Sequence, residues 1–225
     1  MIIRGKGLFI TGTDTGVGKT YIASGIAAEL KKCGVNVGVM KPAETGCRMH
    51  ADRLVPRDAL RLMRSACVKD PLSLVNPYRF RRPLAPAVAA ELERKTIDPS
   101  KIINAFQLLS NRHDLMIVEG AGGIMVPLSG TYTYLDLAKK LGLPVLIVAR
   151  PGLGTINHTM LTIAALRGRK IEIAGVVINY AQDVKSGLAE KTNPVVIEKI
   201  SGIRIVGIIS HSSGRFDDLL NGIIQ

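Results

Sequence analysis

The sequence is short of several things, and each shortage closes off a class of protein. It has three cysteines, Cys33, Cys47 and Cys67, with no C-x-x-C pair among them. Neither a disulfide framework nor a structural zinc site follows from such a set, and the three read as free thiols. No apolar run approaches the ~18 residues of a membrane-spanning helix. The start, MIIRGKGLFI, shows no cleavage-site pattern, so the chain is expected in the cytoplasm and away from membranes. Histidines are few. His50, His113 and His211 stand alone, and neither a Ser-His-Asp arrangement nor a metal-ligand spacing can be assembled from them. Negative charge is scarce as well: 18 acidic residues face 30 Lys and Arg, a net charge of +12. Between Arg48 and Arg82 nine basic residues meet three aspartates, yet no aromatic occurs from Arg48 to Asn76 and no recognised nucleic-acid motif overlaps the segment. A solvated basic face or a phosphate-attracting rim is expected there, not a polynucleotide groove.

What the sequence does have is a repeated alternation. Six short runs, GLFIT, VNVGVMK, DLMIVEG, LPVLIVA, IAGVVIN and IRIVGII, are rich in Val and Ile and bounded by Gly, Pro or Asn. Nearly continuous apolarity over such lengths marks strands buried on both faces, as in a parallel sheet. Helical stretches lie between them. TYIASGIAAELKKC places Ile22, Ile26, Ala27 and Leu30 at a helix period, PSKIINAFQLLSNRH starts on Pro99 after Asp98, and TINHTMLTIAALRGR is a third. The expected fold class is α/β: a doubly wound, mostly parallel sheet flanked by helices, in a single domain over residues 1–225. The stretch from Cys47 to Arg82 is the least regular and predicts a helix at DALRLMRSA with loops on the active face. Ligands of such sheets sit at the carboxyl ends of the strands, so the residues that follow each strand carry the functional reading.

After the first strand comes GTDTGVGKT, Gly12–Thr20, which opens a helix. Strand, glycine-rich loop and helix in that order are what a phosphate-binding loop requires, and the fold is therefore expected to be of the P-loop NTPase kind. In this reading Thr15, Gly16, Val17, Gly18, Lys19 and Thr20 bind the nucleotide. Gly16 and Gly18 turn backbone N–H groups inward, Lys19 reaches the β- and γ-phosphates, and the Thr20 hydroxyl meets Mg²⁺. The usual pattern has a glycine at position 13, where this chain has Thr13. Thr13 is expected to take a conformation that glycine usually supplies. Lys41 ends the second strand in VMKPAETG, either converging with Lys19 on transferred phosphoryl charge or pointing to solvent. Glu119 ends the third strand in IVEGAGG, as a Walker-B-like metal ligand or as a salt-bridged carboxylate. The glycines after it, Gly122 among them, allow close backbone approach to a ligand. Asn179 ends GVVINY, where it either reads a base or occupies a turn. In PGLGTINHTML a helix start follows Gly152 and Gly154, with Asn157 and His158 in its first turn. It is a second place that could receive an anion, with His158 read as a surface residue.

Together GTDTGVGKT, KPAETG, NPYRF with the proline-rich stretch behind it, VEGAGG, GTINHTML and GVVIN resemble, in order, the dethiobiotin synthetase family over roughly residues 7 to 180. That family's loop shares the early glycine and the Thr at position 13. The resemblance implies a reaction dependent on Mg²⁺ and ATP, with 7,8-diaminononanoate and CO₂ as substrates and a phosphorylated carbamate on the way. It implies Lys19 and Lys41 as the catalytic cations, and Thr20, Asp58 and Glu119 as metal ligands. Asp58 is chosen over Asp52 by the match of RDAL to the family. It further implies Thr45 on the carbamate, Gly122 beside the substrate and Asn179 on the base. The family pairs as a homodimer, so the Leu153–Asn157 turn is expected to reach a second copy's site and receive the substrate carboxylate. No nucleic-acid or membrane partner is implied. A nucleotide-switch ATPase of the partition or division-site type is the alternative. Such proteins carry a lysine early in the loop, where this chain has Asp14, and they lack KPAETG. The chain departs from the family at Gly16, where some members are acidic, at Ala87, where many have histidine, and in the tail IISHSSGRFDD, which lacks the proline-containing adenine loop.

Overall fold

The structure is a computed structural model that describes residues 7–183, 187–211 and 216–224. In chain order its elements are β1 (Gly7–Gly12), α1 (Lys19–Lys32), β2 (Val37–Met40), β3 (Ala43–Glu44), β4 (Arg48–His50), β5 (Arg53–Val55), α2 (Arg57–Ala66), α3 (Leu72–Val75), β6 (Tyr78–Arg79), α4 (Pro86–Leu92) and α5 (Pro99–Ser110). They continue with β7 (Leu115–Gly123), β8 (Pro127–Ser129), β9 (Tyr132–Thr133), α6 (Tyr134–Leu141), β10 (Val145–Ala149), α7 (Thr155–Gly168), β11 (Ile173–Asn179), α8 (Leu188–Ser201), β12 (Ile205–Ile209) and α9 (Asp217–Ile224).

One six-stranded sheet organises the molecule, in the order β12-β11-β10-β1-β7-β2 with every pairing parallel. Alternation along the strands feeds two cores. Phe9, Met116, Val118, Val145, Ile147, Val176 and Ile178 pack on one face with residues of α5, α6 and α7. Ile10, Leu115, Ile117, Leu146, Val148 and Val177 pack on the other with α1, α2 and α9. Each side chain buried in this way contributes about 1.5–3 kcal/mol. Because both faces are covered, the strands carry no polar alternation, and this is why their sequences are apolar runs.

The chain leaves β1 for the edge strand β2, returns to β7, and later crosses to β10 on the other side of β1. The direction of winding therefore reverses at β1, and the crevice at its carboxyl end is the place where such sheets bind ligands. Among the described residues no helix is long and apolar enough to cross a membrane.

All six expected strands form, and β7 runs past its expected end at Glu119 to Gly123. α6 and α8 escape the sequence reading for local reasons. α6 has eight residues and owes its start to a Thr133–Asp136 capping box. α8 holds Pro194 in its interior, which reads as a break, yet the helix continues through it with Pro194 buried.

Candidate active site

The glycines of the first loop do different work from that expected. Gly16 (φ 77°) and Gly18 (φ 91°) occupy the left-handed region, but Thr13 does not. Its N–H instead donates to the carbonyl of Val148 at 2.9 Å, extending β1 toward β10. The expectation that Thr13 must imitate glycine is therefore not met. The close approach falls one residue earlier. A Cβ on Gly12 would lie 2.7 Å from the Asp14 carbonyl oxygen and 2.9 Å from Lys19 Nζ, so glycine is required at position 12 for space. Asn179 supports the loop from beneath. Its Nδ2 donates to the Val17 carbonyl at 2.8 Å, and a Cβ on Gly18 would come within 2.1 Å of that nitrogen. Val17 itself is buried in the core.

Beside the loop lies a buried group of charges. Lys41, one residue past β2, is 3% exposed. Its Nζ lies 2.5 Å from Glu119 Oε1, 3.3 Å from Asp58 Oδ2 and 3.2 Å from the Gly120 carbonyl. Its backbone is held as well: its N–H donates to Val75 and its carbonyl accepts from Asn76 Nδ2 at 2.6 Å. Of the two readings for this lysine, the solvent-pointing one is excluded. Glu119 is 1% exposed, and its Oε1 also accepts from the Thr20 hydroxyl at 2.8 Å. The carboxylate is thus salt-bridged, and its Oε2 stays buried with no hydrogen-bond partner among the described residues.

The two lysines respond oppositely to this environment. Burial depresses Lys41, but the Glu119 and Asp58 carboxylates outweigh it and hold the ammonium above its ordinary value. Burial, and next the charge of Lys41, bring Lys19 down to about 8. Its Nζ donates to the Asp14 carbonyl at 3.0 Å.

Thr20 Oγ1, Glu119 and Asp58 offer oxygen donors only to the one cavity, and the Oε2 of Glu119, unpartnered among the described residues, is an acceptor suited to a hard cation. Among the described residues no three His, Cys, Asp or Glu side chains make a metal cage by themselves. That composition fits Mg²⁺, which is held by one or two carboxylates and completes its shell with phosphate oxygens and water.

A cavity of about 580 Å³ opens onto these groups. Thr15, Gly16, Gly18, Lys19, Thr20, Lys41, Thr45, Asp58, Glu119 and Gly122 line it, with Arg61 and the Pro83–Pro86 segment on its rim. Ten of the residues expected in the site therefore meet in one space. Asn179 and Val17 lie under the loop. Leu153 and Asn157 are exposed and do not line this cavity. The basic segment divides: Arg61 reaches the rim, whereas Arg53 and Arg79 border a separate hollow with Lys95 and Lys101. Of the divergent tail, residues 212–215 lie outside the described residues.

One residue of the site went unread in the sequence. Glu44, 6% exposed, accepts the N–H groups of Asp58 and Ala59 through its two carboxylate oxygens, each at 3.0 Å. These are the orphan donors of the first turn of α2, whose own N-cap position is Pro56 and offers no side chain. Glu44 thus caps the helix from a distant strand and aims Asp58 at Lys41. Its carboxyl is raised above the usual range by burial, which the two backbone hydrogen bonds offset only in part.

A loop turned by glycines between a central parallel strand and a buried helix, with lysine and threonine at its end, defines a P-loop nucleotide-binding protein. A family model described as an AAA domain matches residues 6–214. An ATP-dependent dethiobiotin synthetase of Thermodesulfovibrio yellowstonii is 44% identical over 91% of this chain and 88% of its own. One from Methanocaldococcus jannaschii is 44% identical over 90% of this chain and 92% of its own. Among solved structures, the MinC:MinD cell division complex of Aquifex aeolicus covers 97% of this chain and 86% of its own with a TM-score of 0.58 at 18% identity, a likeness of fold. The chain belongs to the family of ATP-dependent dethiobiotin synthetases.

Proposed function

We propose that this chain closes the ureido ring of dethiobiotin from 7,8-diaminononanoate, CO₂ and ATP by way of a phosphorylated carbamate. The observation that carries this reading is the buried Lys41 ammonium, fixed between Glu119 and Asp58 in the same cavity as Lys19. One substrate amine attacks CO₂, forming an N–C bond and losing a proton, and the product is a carbamate. A carbamate oxygen then attacks the γ-phosphorus of ATP, the bond to the β–γ bridging oxygen breaks, and ADP leaves. The second amine attacks the carbamoyl carbon, the C–O bond to phosphate breaks, and the ring closes with loss of a proton.

Phosphoryl transfer needs positioning and charge neutralisation more than covalent help. Lys41 is suited to the second task because its carboxylate neighbours keep it charged, so it acts as a fixed cation and not as a proton carrier. Lys19 gains charge stability when phosphate oxygens replace its present carbonyl partner. Thr45, half-buried on the cavity wall, donates to the carbamate, and the backbone at Gly122 (φ 64°) lets the substrate approach closely. Thr20, Asp58 and Glu119 would hold Mg²⁺, which when bound neutralises phosphate charge. Asn179 commits one amide hydrogen to the loop, and its buried Oδ1, unpartnered among the described residues, is the acceptor left for a base amine. The exposure of Leu153 (85%) and Asn157, outside their own cavity, supports a homodimer in which the turn serves a second copy.

The test is ADP release in the presence of diaminononanoate and bicarbonate. Strong stimulation by both together is expected. ADP release indifferent to them, or stimulated by DNA instead, would remove this reading in favour of a nucleotide switch.

A further inference from the structure

Arg150, the residue just past β10, joins two parts of the site that the mechanism treats separately. Its Nη2 donates to Asp14 Oδ2 at 3.2 Å and lies 3.1 Å from His158 Nδ1. A guanidinium can only donate, so His158 offers the lone pair of Nδ1. On one side, Asp14 belongs to the phosphate loop. Its Oδ1 accepts the Thr15 N–H at 2.7 Å, and its carbonyl accepts Lys19 Nζ. On the other side, His158 sits in the first turn of α7 and donates its N–H to Gly154, the last residue of the turn after β10. Asn193 of α8 holds the far side of that turn, donating to the Pro151 carbonyl at 2.8 Å.

We propose that Arg150 is a positioning residue that couples nucleotide occupancy of the phosphate loop to the Leu153–Asn157 turn, so that nucleotide and substrate carboxylate bind interdependently. The proposal rests on the reading above, in which that turn receives the carboxylate. For Lys19 to reach phosphates it must release the Asp14 carbonyl, and for Thr15 N–H to do so it must release Asp14 Oδ1. The release of Thr15 leaves the Asp14 carboxylate with Arg150 as its remaining partner and draws the guanidinium from His158 toward the loop, while the release of Lys19 frees the Asp14 backbone to follow. The Nε of Arg150 is buried with no acceptor among the described residues, so its present contacts do not saturate it and a second arrangement is open to it. A ligand shifts such an equilibrium only through contacts that differ between the two arrangements, and Asp14 and His158 supply them at the two ends. In a dimer the coupling would run from the nucleotide of one protomer to the substrate of the other.

The experiment is calorimetric titration of ADP with Mg²⁺ into the full chain, with and without saturating diaminononanoate, in the wild type, Arg150→Ala and Arg150→Lys. The wild type is expected to show an affinity ratio of about 5 between the two conditions. In Arg150→Ala the ratio is expected to fall to about 1 while ADP affinity alone moves less than ~5-fold, the scale of an exposed ion pair. Arg150→Lys, able to reach one partner but not both, should recover part of the ratio. An unchanged ratio in Arg150→Ala, or a ratio of 1 in a wild type that binds substrate, would overturn the coupling alone. A wild type that binds no diaminononanoate would overturn the substrate reading and the coupling with it. If Arg150→Ala does not fold, Arg150→Lys and His158→Ala make the same comparison, and a full ratio in both overturns the proposal.

Discussion

The strands β2 and β7 carry a cluster of charges at each end, and the two clusters are built on opposite plans. At the amino end, His113 lies 2.8 Å from Asp70 through Nε2 and 2.9 Å from Asn36 Oδ1 through Nδ1. Asn36 in turn donates through Nδ2 to the Arg112 carbonyl and through its backbone N–H to Asp114 Oδ2. None of these side chains is among the buried polar atoms left without a partner. At the carboxyl end, Glu119 Oε2 is buried and, among the described residues, unpartnered, as are Asn179 Oδ1 and Arg150 Nε at the ends of the neighbouring β11 and β10, and two ammonium groups repel each other across the cavity. An unpaired buried polar group costs about 1–3 kcal/mol. The amino-end network completes itself and stabilises; the carboxyl-end one is left incomplete, as a site that awaits a ligand must be.

Substitutions should separate the two plans. The largest effect is expected from Lys41→Met, with a loss of turnover of about 10³-fold, since it removes a preorganised charge from the transition state. Stability should fall by about 3 kcal/mol because Glu119 is left buried without its partner. Chemical denaturation beside an ADP-release assay reads both, and near-normal turnover would break the assignment. Asp58→Asn is expected to raise the Mg²⁺ needed for half-maximal activity by ~10²-fold. Asp52→Asn, in the exposed turn between β4 and β5, should leave it unchanged, and equal effects would remove Asp58 from the metal set. Glu44→Ala should raise the Mg²⁺ requirement by ~10-fold and cost about 1–2 kcal/mol of stability, the scale of a lost helix cap. His113→Ala sharpens the contrast from the other end, with about 1–3 kcal/mol of stability lost and turnover unchanged. A fall in kcat there would show that the two ends are not independent.

The smallest effect concerns pH. Burial, and next the charge of Lys41, bring Lys19 down to about 8 from an ordinary 10.5. Between those values the unfolded chain keeps a proton that the folded chain has given up, so this group's contribution to stability rises with pH across that window. Below it the folded state bears the full penalty of a charged, buried Lys19, and phosphate oxygens relieve it. The rise in Tm caused by ADP should therefore be greater at about pH 7 than at about pH 9.5. A shift that does not change between those values would mean that Lys19 is not the group that meets the phosphates.

The sheet was legible because burial on both faces writes itself into the sequence as Val- and Ile-rich runs, and the phosphate loop because Gly16, Gly18, Lys19 and Thr20 are local in the chain. Thr13 was misread for a related reason. The consensus pattern says where glycine usually stands, whereas the steric demand falls on Gly12. Glu44 and Arg150 were not legible, because each acts on partners 14, 15 and 136 residues away, and no local pattern announces such pairs. The choice of Asp58 over Asp52 needed the family likeness. In the structure Asp58 faces Lys41 in the cavity, while Asp52 occupies a tight turn with φ 58°.

The external cap on α2 bears on how this chain tolerates change. A helix that carries its own N-cap must keep that residue, and with it the sequence just upstream. α2 borrows its cap from Glu44, so the β4–β5 hairpin that leads into it is released from that duty. The hairpin can lengthen, shorten or gather arginines while Asp58 keeps its aim. The β4–β5 hairpin is thus the part of this irregular stretch that makes none of the contacts holding Lys41 and Asp58, and insertions are best tried between residues 48 and 55.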